Sequence, residues 1–314
     1  MSNFIFSLNA TIPIFLVMVL GWILMRLGLF NQNFNAVADR YVFKVALPIL
    51  LFVDIATADI YDIFTWKFVI FCIIVTTIMF IGTWGLANLW MKDKSMVGAF
   101  SQAAVRGSGA ILGIAFVENI YGGAGCAPLM IIAAIPLYNI YSVIILSFGS
   151  KDRKSGKGLL KTTLKNIITN PIIIGILLGM PFAFLRISIP EIPLKALSSV
   201  ANTATPLALL MVGAEFEGKK AVKKIKPTAV ATFVKLVLLP VLILPVAYVL
   251  GFRNSEMVSI LILAGSPTTV SCYIMAKNMG NDEVLTSSIV VCATLLSSVS
   301  LTGWVFVLRC LGAI

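Results

Sequence analysis

Two polar breaks in otherwise apolar sequence hold the residues best suited to bind a ligand. They contain Arg106, Gly107 and Ser108 in the first break, and Ser266, Pro267, Thr268 and Thr269 in the second. Glycine and proline interrupt a helix and free backbone groups, which a bilayer tolerates only where those groups line a cavity. Half-helix N-termini attract anions, and a guanidinium binds a carboxylate through two parallel hydrogen bonds. The breaks therefore predict a site for a small organic anion; the alternative is that the glycines only allow close helix packing.

Arg106 is the residue that points most directly to an anion. It lies about ten residues into the apolar segment 96–118. A guanidinium at that depth costs at least ~2.5 kcal/mol, so it must face a partner or a water-filled cavity. Its planar donor groups suit a carboxylate, but they would equally bind freed backbone carbonyls. Substrate contact and a structural role are both open.

Four other polar or proline residues inside apolar segments are candidates for the walls of the site. Asn139 is either a site residue or a packing residue, because its amide both donates and accepts hydrogen bonds. Pro48 and Pro206 predict helix kinks that wall a cleft, and Asn202 lies near the second kink. We expect the remaining intramembrane charge, Lys235, to extend its side chain to the cytoplasmic surface, with a buried role as the alternative.

Several kinds of chemistry are excluded by the residues that the sequence lacks. The chain has no histidine, its five cysteines show no CxxC spacing, and no GxxxxGK[ST] motif occurs. No metal site, cofactor or direct use of ATP is therefore expected, and the protein is predicted not to be an enzyme. Asp54, Asp59 and Asp62 are interpreted as an external loop, with an ion or proton site at Asp54 as the alternative.

Composition places the protein in a membrane. Hydrophobic residues make up 59% of the 314 and charged residues only 12%, about half the charged share of a soluble domain. Seven runs lack any charge: 1–25, 68–91, 119–150, 166–185, 196–214, 257–276 and 284–308. The segments 36–57, 96–118 and 228–250 add three more spans. The fold class predicted is all-α integral membrane with ten transmembrane helices.

The distribution of basic residues predicts the orientation. Loops that follow odd-numbered helices hold 17 Lys and Arg residues, whereas the remaining loops and the two tails hold 5. Basic residues concentrate on the cytoplasmic side, so both termini are expected to be extracytoplasmic in the cell membrane. The net charge of +11 then reflects cytoplasmic loops, and no nucleic-acid partner is expected.

A basic segment divides the chain into two halves of five helices. Residues 1–148 form the first half, 149–168 a cytoplasmic linker, and 169–314 the second half. An odd number of spans per half inverts the second relative to the first, as in the inverted repeats of secondary transporters. The breaks fall about ten residues into the fourth helix of each half, so helices four and nine are predicted to cross there.

Five motifs in a fixed order resemble those of the auxin efflux carrier family. They are ALPILLF (46–52), VRGSGAILGIAFVENIYG (105–122), IPLYNIYSVIIL (135–146), KLVLLP (235–240) and AGSPTTVSCYIMAKNMGNDEVLTSSIVV (264–291). The resemblance covers essentially the whole chain, and the short central loop is similar to that of the prokaryotic members. The family includes auxin exporters and carriers linked to malate, malonate and similar organic anions.

The resemblance implies a particular mechanism and assembly. Helices 1, 2, 6 and 7 would form a scaffold, and helices 3–5 and 8–10 a transport domain that moves as an elevator, with a homodimer formed through the scaffold. The site would lie where helices four and nine cross. The sequence departs from members with proline at both crossings, because Arg106 stands at that place in helix four.

The predicted function is secondary transport of small mono- or dicarboxylates, or of auxin-like acids. A channel, or a membrane sensor that transports nothing, is the alternative. Coupling to H⁺ or Na⁺ is left open by the sequence, because intramembrane acids are too few to choose between them.

Overall fold

The protein is helical throughout the part of the chain that the structure describes. The computed structural model describes residues 2–58, 64–149, 165 and 167–314, and no β-strand occurs among them. Five helices in this part are long and apolar enough to cross a membrane: Trp66–Trp90, Ala127–Gly149, Glu191–Ala214, Ile225–Val249 and Glu283–Cys310. The described part of the chain is therefore all-helical, with several helices suited to cross a membrane.

The helices are numbered here along the chain, and those that contain the two breaks are split into two parts. They are α1 (Ser2–Arg26), α2 (32–56), α3 (Trp66–Trp90), α4a (Val97–Val105), α4b (Gly109–Tyr121), α5 (Ala127–Gly149), α6 (Pro171–Leu185), α7 (Glu191–Ala214), α8 (Ile225–Val249), α9a (Asn254–Gly265), α9b (Ser271–Asn278) and α10 (Glu283–Cys310). Short turns of helix, Lys94–Met96 and Gly218–Lys223, lie in two of the connections.

Three helices are irregular just before a proline. In α2 the turn Val42–Ala46 is π-helical, and Pro48 follows it. In α8 the turn Val234–Leu238 is π-helical, and Pro240 follows it. A proline lacks the N–H that an α-helix needs and crowds the carbonyl four residues earlier, so a wider turn relieves both problems. In α7 the helix is interrupted at residues 202–203, shortly before Pro206.

The first halves of the two broken helices form the interior of the bundle. Every residue of α4a and every residue from Met257 to Gly265 in α9a is buried. A helix that is apolar on all sides belongs in the interior. Large aliphatic side chains on α1, α3, α6 and α8 face outward instead; examples are Leu16, Ile78, Leu177 and Leu242. These outward faces are suited to lipid.

Two helix pairs pack so closely that only glycine fits at their contacts. The pairs are α1 with α7 and α2 with α6. A side chain on Gly21 would overlap the backbone of Leu210, and one on Gly179 would overlap the carbonyl oxygen of Phe52. Glycine at such contacts lets helix backbones approach in a bilayer. One helix of each pair, α7 and α2, also contributes to a cavity in the interior.

Candidate functional site

The two breaks lie against each other in the bundle interior. Gly107 and Thr268 form an antiparallel β-bridge. The N–H of Ser108 donates to the carbonyl oxygen of Pro267 at 2.9 Å. We call residues 106–108 and 266–269 the paired breaks. A broken helix leaves backbone N–H and C=O groups without partners inside the helix. Here each break provides hydrogen-bond partners for the other.

Side chains reinforce the contact between the paired breaks. Thr268 Oγ1 donates to the carbonyl oxygen of Ala103 at 2.7 Å, and Gln102 Nε2 donates to that of Cys272 at 2.8 Å. Gly107 has no room for a side chain, because a Cβ there would overlap Ser266 Oγ. The predicted residues of the two breaks are thus brought together, although Ser266 and Thr268 are buried in the junction itself.

A cavity of about 580 Å³ adjoins the paired breaks, and we call it the break cavity. Its lining includes Leu47, Leu50, Leu51, Asp54, Thr57, Ala58, Arg106, Gly107, Ser108, Gly109, Ala124, Pro128, Ile131, Ile135, Tyr138, Ala201, Asn202, Thr205, Thr269, Val270 and Ser271. The first residues of α4b and α9b are therefore in its wall. Both half-helices direct the positive ends of their dipoles to this region, which favours an anion.

Arg106 belongs to the break cavity, and its guanidinium is held by neighbouring helices. The side chain is 4% exposed. Nη2 donates to Asn139 Oδ1 at 2.8 Å, and Nη1 is in contact with Met275 Sδ. Among the described residues no carboxylate forms an ion pair with it. The guanidinium is therefore a buried cation whose charge is not balanced by any described acid.

Lys235 lies against the residues that precede the paired breaks and is completely buried. Its Nζ donates to three backbone carbonyls, those of Val105 at 2.8 Å, Ala264 at 3.0 Å and Leu263 at 3.2 Å. The prediction that this side chain reaches the cytoplasmic surface is wrong. The ends of α4a and α9a leave carbonyls without helical partners. These carbonyls supply the hydrogen bonds that water would provide at the surface.

The other predicted wall residues divide into two groups. Asn202 lines the break cavity, as does Thr269. Asn139 is fully buried and binds Arg106 and the carbonyl oxygen of Ile135 instead of facing the cavity. Pro48 and Pro206 are absent from the lining and lie one helical position from residues that do line it.

Asp54 is a wall residue that the sequence interpretation assigned to an external loop. It lies within the helical segment Leu47–Ala56 and lines the break cavity. The long apolar run that precedes it was the signal for this placement. Asp59 and Asp62 lie outside the described residues.

A second set of charges connects α2, α7 and α9b at the other end of these helices. Lys277 Nζ forms ion pairs with Asp39 and Glu215. Tyr273 donates its hydroxyl proton to Glu215, and Lys277 Nζ lies 3.3 Å from that hydroxyl. We call these four residues the Lys277 cluster. Sequence reasoning missed it because its members are separated by up to 238 positions.

No metal centre is present in the described part of the chain. Histidine, cysteine, aspartate and glutamate do not gather there in any group of three that could hold a metal ion. The chemistry available at the paired breaks is therefore that of hydrogen-bond donors, two cations and helix termini.

Broken helices that meet beside a cavity, inside a bundle of apolar helices, are typical of membrane transport proteins. Comparison of the sequence with known families gives the same class. The model of the family described as membrane transport protein matches residues 6–305. The chain belongs to this family, and the resemblance to auxin efflux carriers inferred from its motifs is confirmed.

Three relatives illustrate how far this similarity extends. An uncharacterized transporter of Methanothermobacter thermautotrophicus is 24% identical over 97% of this chain and 99% of its own. The uncharacterized transporter YfdV of Escherichia coli K12 is 24% identical over 87% and 88%. A putative malonate transporter of Rhizobium meliloti is 24% identical over 95% and 94%. Family and relatives are transporters, which argues against an enzyme.

Proposed function

We propose that the protein is a secondary transporter of small organic anions, with mono- and dicarboxylates as its substrates. One observation carries this proposal. Arg106 is a buried cation in the lining of the break cavity, and no described acid forms an ion pair with it. Burying unbalanced charge is costly, and an anion in the adjoining cavity reduces that cost.

The cavity itself supports an anion of modest size. Its volume of about 580 Å³ is within the range of sites for small molecules. Its wall combines aliphatic residues with the N-termini of α4b and α9b. A carboxylate would accept hydrogen bonds from the backbone there, as anions do at helix N-termini. The relative named as a putative malonate transporter makes malonate the first probe to use.

An inverted repeat of ten spans is supported by matching glycine contacts. Gly21 of α1 would clash with Leu210 of α7, and Gly179 of α6 would clash with Phe52 of α2. Gly179 lies as many positions after Gly21 as Leu210 lies after Phe52. The glycine therefore belongs to the first half in one contact and to the second half in the other. Such an exchange is what two inverted halves, residues 1–148 and 169–314, would produce around the linker 149–168.

An elevator motion is supported by the division of the bundle. The break cavity lies between α2 and α7 on one side and the paired breaks on the other. The Lys277 cluster joins the same two groups of helices near the start of α2 and the end of α7. In our proposal α1, α2, α6 and α7 are the scaffold, and α3–α5 with α8–α10 carry the substrate past it.

The orientation follows from the basic loops. With 17 basic residues in the loops after odd-numbered helices against 5 elsewhere, both termini lie outside the cytoplasm and the protein resides in the cell membrane. The break cavity then lies toward the outside, and the Lys277 cluster lies toward the cytoplasmic end. The structure corresponds to an outward-facing carrier in this scheme. A homodimer through the scaffold remains an expectation from the family resemblance.

Counterflow in proteoliposomes tests the proposal. Vesicles loaded with unlabelled malonate, malate, acetate or indole acetate are diluted into the same labelled anion, with and without sodium. A carrier gives saturable, transient accumulation of at least one anion. Linear flux that does not saturate would favour a channel, and no flux of any of them would overturn the proposal.

A further inference from the structure

The carbonyl oxygens of Val105, Leu263 and Ala264 converge on one point inside the bundle, and we call them the carbonyl cradle. Lys235 Nζ occupies that point, with oxygen distances of 2.8, 3.2 and 3.0 Å. The residue has no exposed surface. Three carbonyl oxygens at these distances form the kind of site that also binds ammonium or a dehydrated alkali cation.

The cradle is a place of concentrated negative potential. Val105 is the last residue of α4a, and Leu263 and Ala264 lie in the last turn of α9a. Each helix C-terminus carries about half a negative charge, so two that meet repel one another unless a cation lies between them. Within the described part of the chain, no acid forms an ion pair with Lys235. The positive charge of Lys235 therefore interacts with the negative ends of the two helix dipoles.

The surroundings of the cradle are shaped to admit the ammonium group. The π-helical turn Val234–Leu238 contains Lys235. A Cβ on Gly107 would come within 3 Å of both Lys235 Nζ and Ser266 Oγ, so only glycine leaves room here. Ser266 Oγ is buried and has no hydrogen-bond partner. A fourth oxygen is thus available next to the cradle.

We propose that Lys235 is a built-in monovalent cation. Its ammonium fills a cation site formed by the cradle, and this holds the C-terminal ends of α4a and α9a together beside the break cavity. Lys235 is then a positioning residue, because it fixes the paired breaks and does not line the break cavity. The carrier consequently needs no dissolved alkali cation at this position. Only this last consequence rests on the proposed transport function.

Truncation of Lys235 to alanine tests the proposal, because it leaves the carbonyl cradle without its ammonium group. The thermal stability of purified Lys235→Ala is measured without substrate in choline, sodium, potassium, ammonium or methylammonium chloride at equal ionic strength. In choline the variant should lose stability relative to the wild type. Potassium, ammonium or methylammonium should raise its Tm by about 5 °C, because a ligand that binds only the folded state stabilises it.

Three control proteins separate the cradle from general salt effects. The wild type should show the same Tm in all five salts. Lys235→Met keeps the apolar stem but blocks the site, so it should be destabilised and gain nothing from any cation. Lys195→Ala removes a lysine whose side chain is 76% exposed, and it should behave as the wild type does.

The test also gives a result if Lys235→Ala fails to fold in choline. Recovery of monodisperse Lys235→Ala in potassium or methylammonium, but not in choline, supports the built-in cation. Equal behaviour in all five salts overturns it, whether the variant is folded or aggregated in them. Because no substrate is present, this outcome is independent of whether the protein transports anions.

Discussion

Arg106 Nη2 donates a hydrogen bond to Asn139 Oδ1 at 2.8 Å, which joins the first break to the middle of α5. The two residues are 33 positions apart, and both are buried. A neutral amide can orient the guanidinium but leaves its charge in place. A carboxylate at the same position would have paired with that charge and reduced its attraction for an anion. The choice of partner therefore keeps the site positive.

Asn139→Asp tests this relationship without removing Arg106. The new carboxylate would form an ion pair with the guanidinium, so we expect at least a tenfold loss of anion affinity in a protein that still folds. Calorimetric titration and thermal unfolding of the same preparation provide the two values. Asn88→Asp, on the exposed end of α3, is the matched control. Unchanged affinity in Asn139→Asp would mean that the charge of Arg106 does not act on the substrate.

Gly107→Ala should damage the junction of the paired breaks, mainly through its contact with Ser266. The new Cβ would overlap Ser266 Oγ, and overpacking of this kind costs about 1–3 kcal/mol. Adding Ser266→Ala should restore part of the loss, because it removes the overlapping oxygen. Thermal unfolding of both single variants and the double variant measures this coupling. Gly123→Ala, where a Cβ meets nothing within 4 Å, should be neutral. If the losses of stability in the two single variants simply add in the double variant, the predicted overlap between the new Cβ at position 107 and Ser266 Oγ is wrong.

The Lys277 cluster should hold the carrier in the observed state. Lys277→Met removes the cation that pairs with Asp39 and Glu215, so the equilibrium should shift toward a form open at that end. In a protein without native cysteines, Ser271→Cys reports access to the break cavity. We expect Lys277→Met to increase its labelling by an impermeant thiol reagent from the cytoplasmic side severalfold. Lys220→Met, in an exposed pair, should have no effect. If Lys277→Met and Lys220→Met are labelled to the same extent, the Lys277 cluster does not hold the carrier in the observed state.

Asp54 should weaken anion binding when it is ionised. Its carboxyl group shares the wall of the break cavity with the paired breaks, and like charges there repel. Asp54→Asn should therefore bind a dicarboxylate roughly threefold to tenfold more tightly at neutral pH. Wild-type affinity should rise as the pH falls and Asp54 takes up a proton, whereas the variant should respond less. Weaker binding by Asp54→Asn would indicate that the carboxyl group assists the substrate.

The elements of the site that depend on local sequence were predictable. Gly107 and Pro267 mark interruptions because glycine and proline disturb a helix wherever they occur in it. The burial of Arg106 also followed, because its depth within an apolar segment required a partner. These inferences need only a short window of sequence.

Features that depend on distant partners could not be predicted. Lys235 contacts carbonyls that are 28 to 130 positions away. Its own segment shows only a lysine about two turns from a plausible surface. Asp54 follows an apolar run and precedes a polar one, which fits both a loop and a helix end. The Lys277 cluster combines three separate segments. In each case, tertiary packing decides which groups meet.

Equilibrium binding of radiolabelled malonate to the purified wild type tests the central claim most directly. The account predicts saturable binding that other small carboxylates compete for, that the neutral diamide malonamide does not affect, and that Arg106→Gln weakens at least tenfold. If no carboxylate among malonate, malate, acetate and indole acetate binds saturably, or if malonamide competes as well as malonate does, the paired breaks are not an anion site.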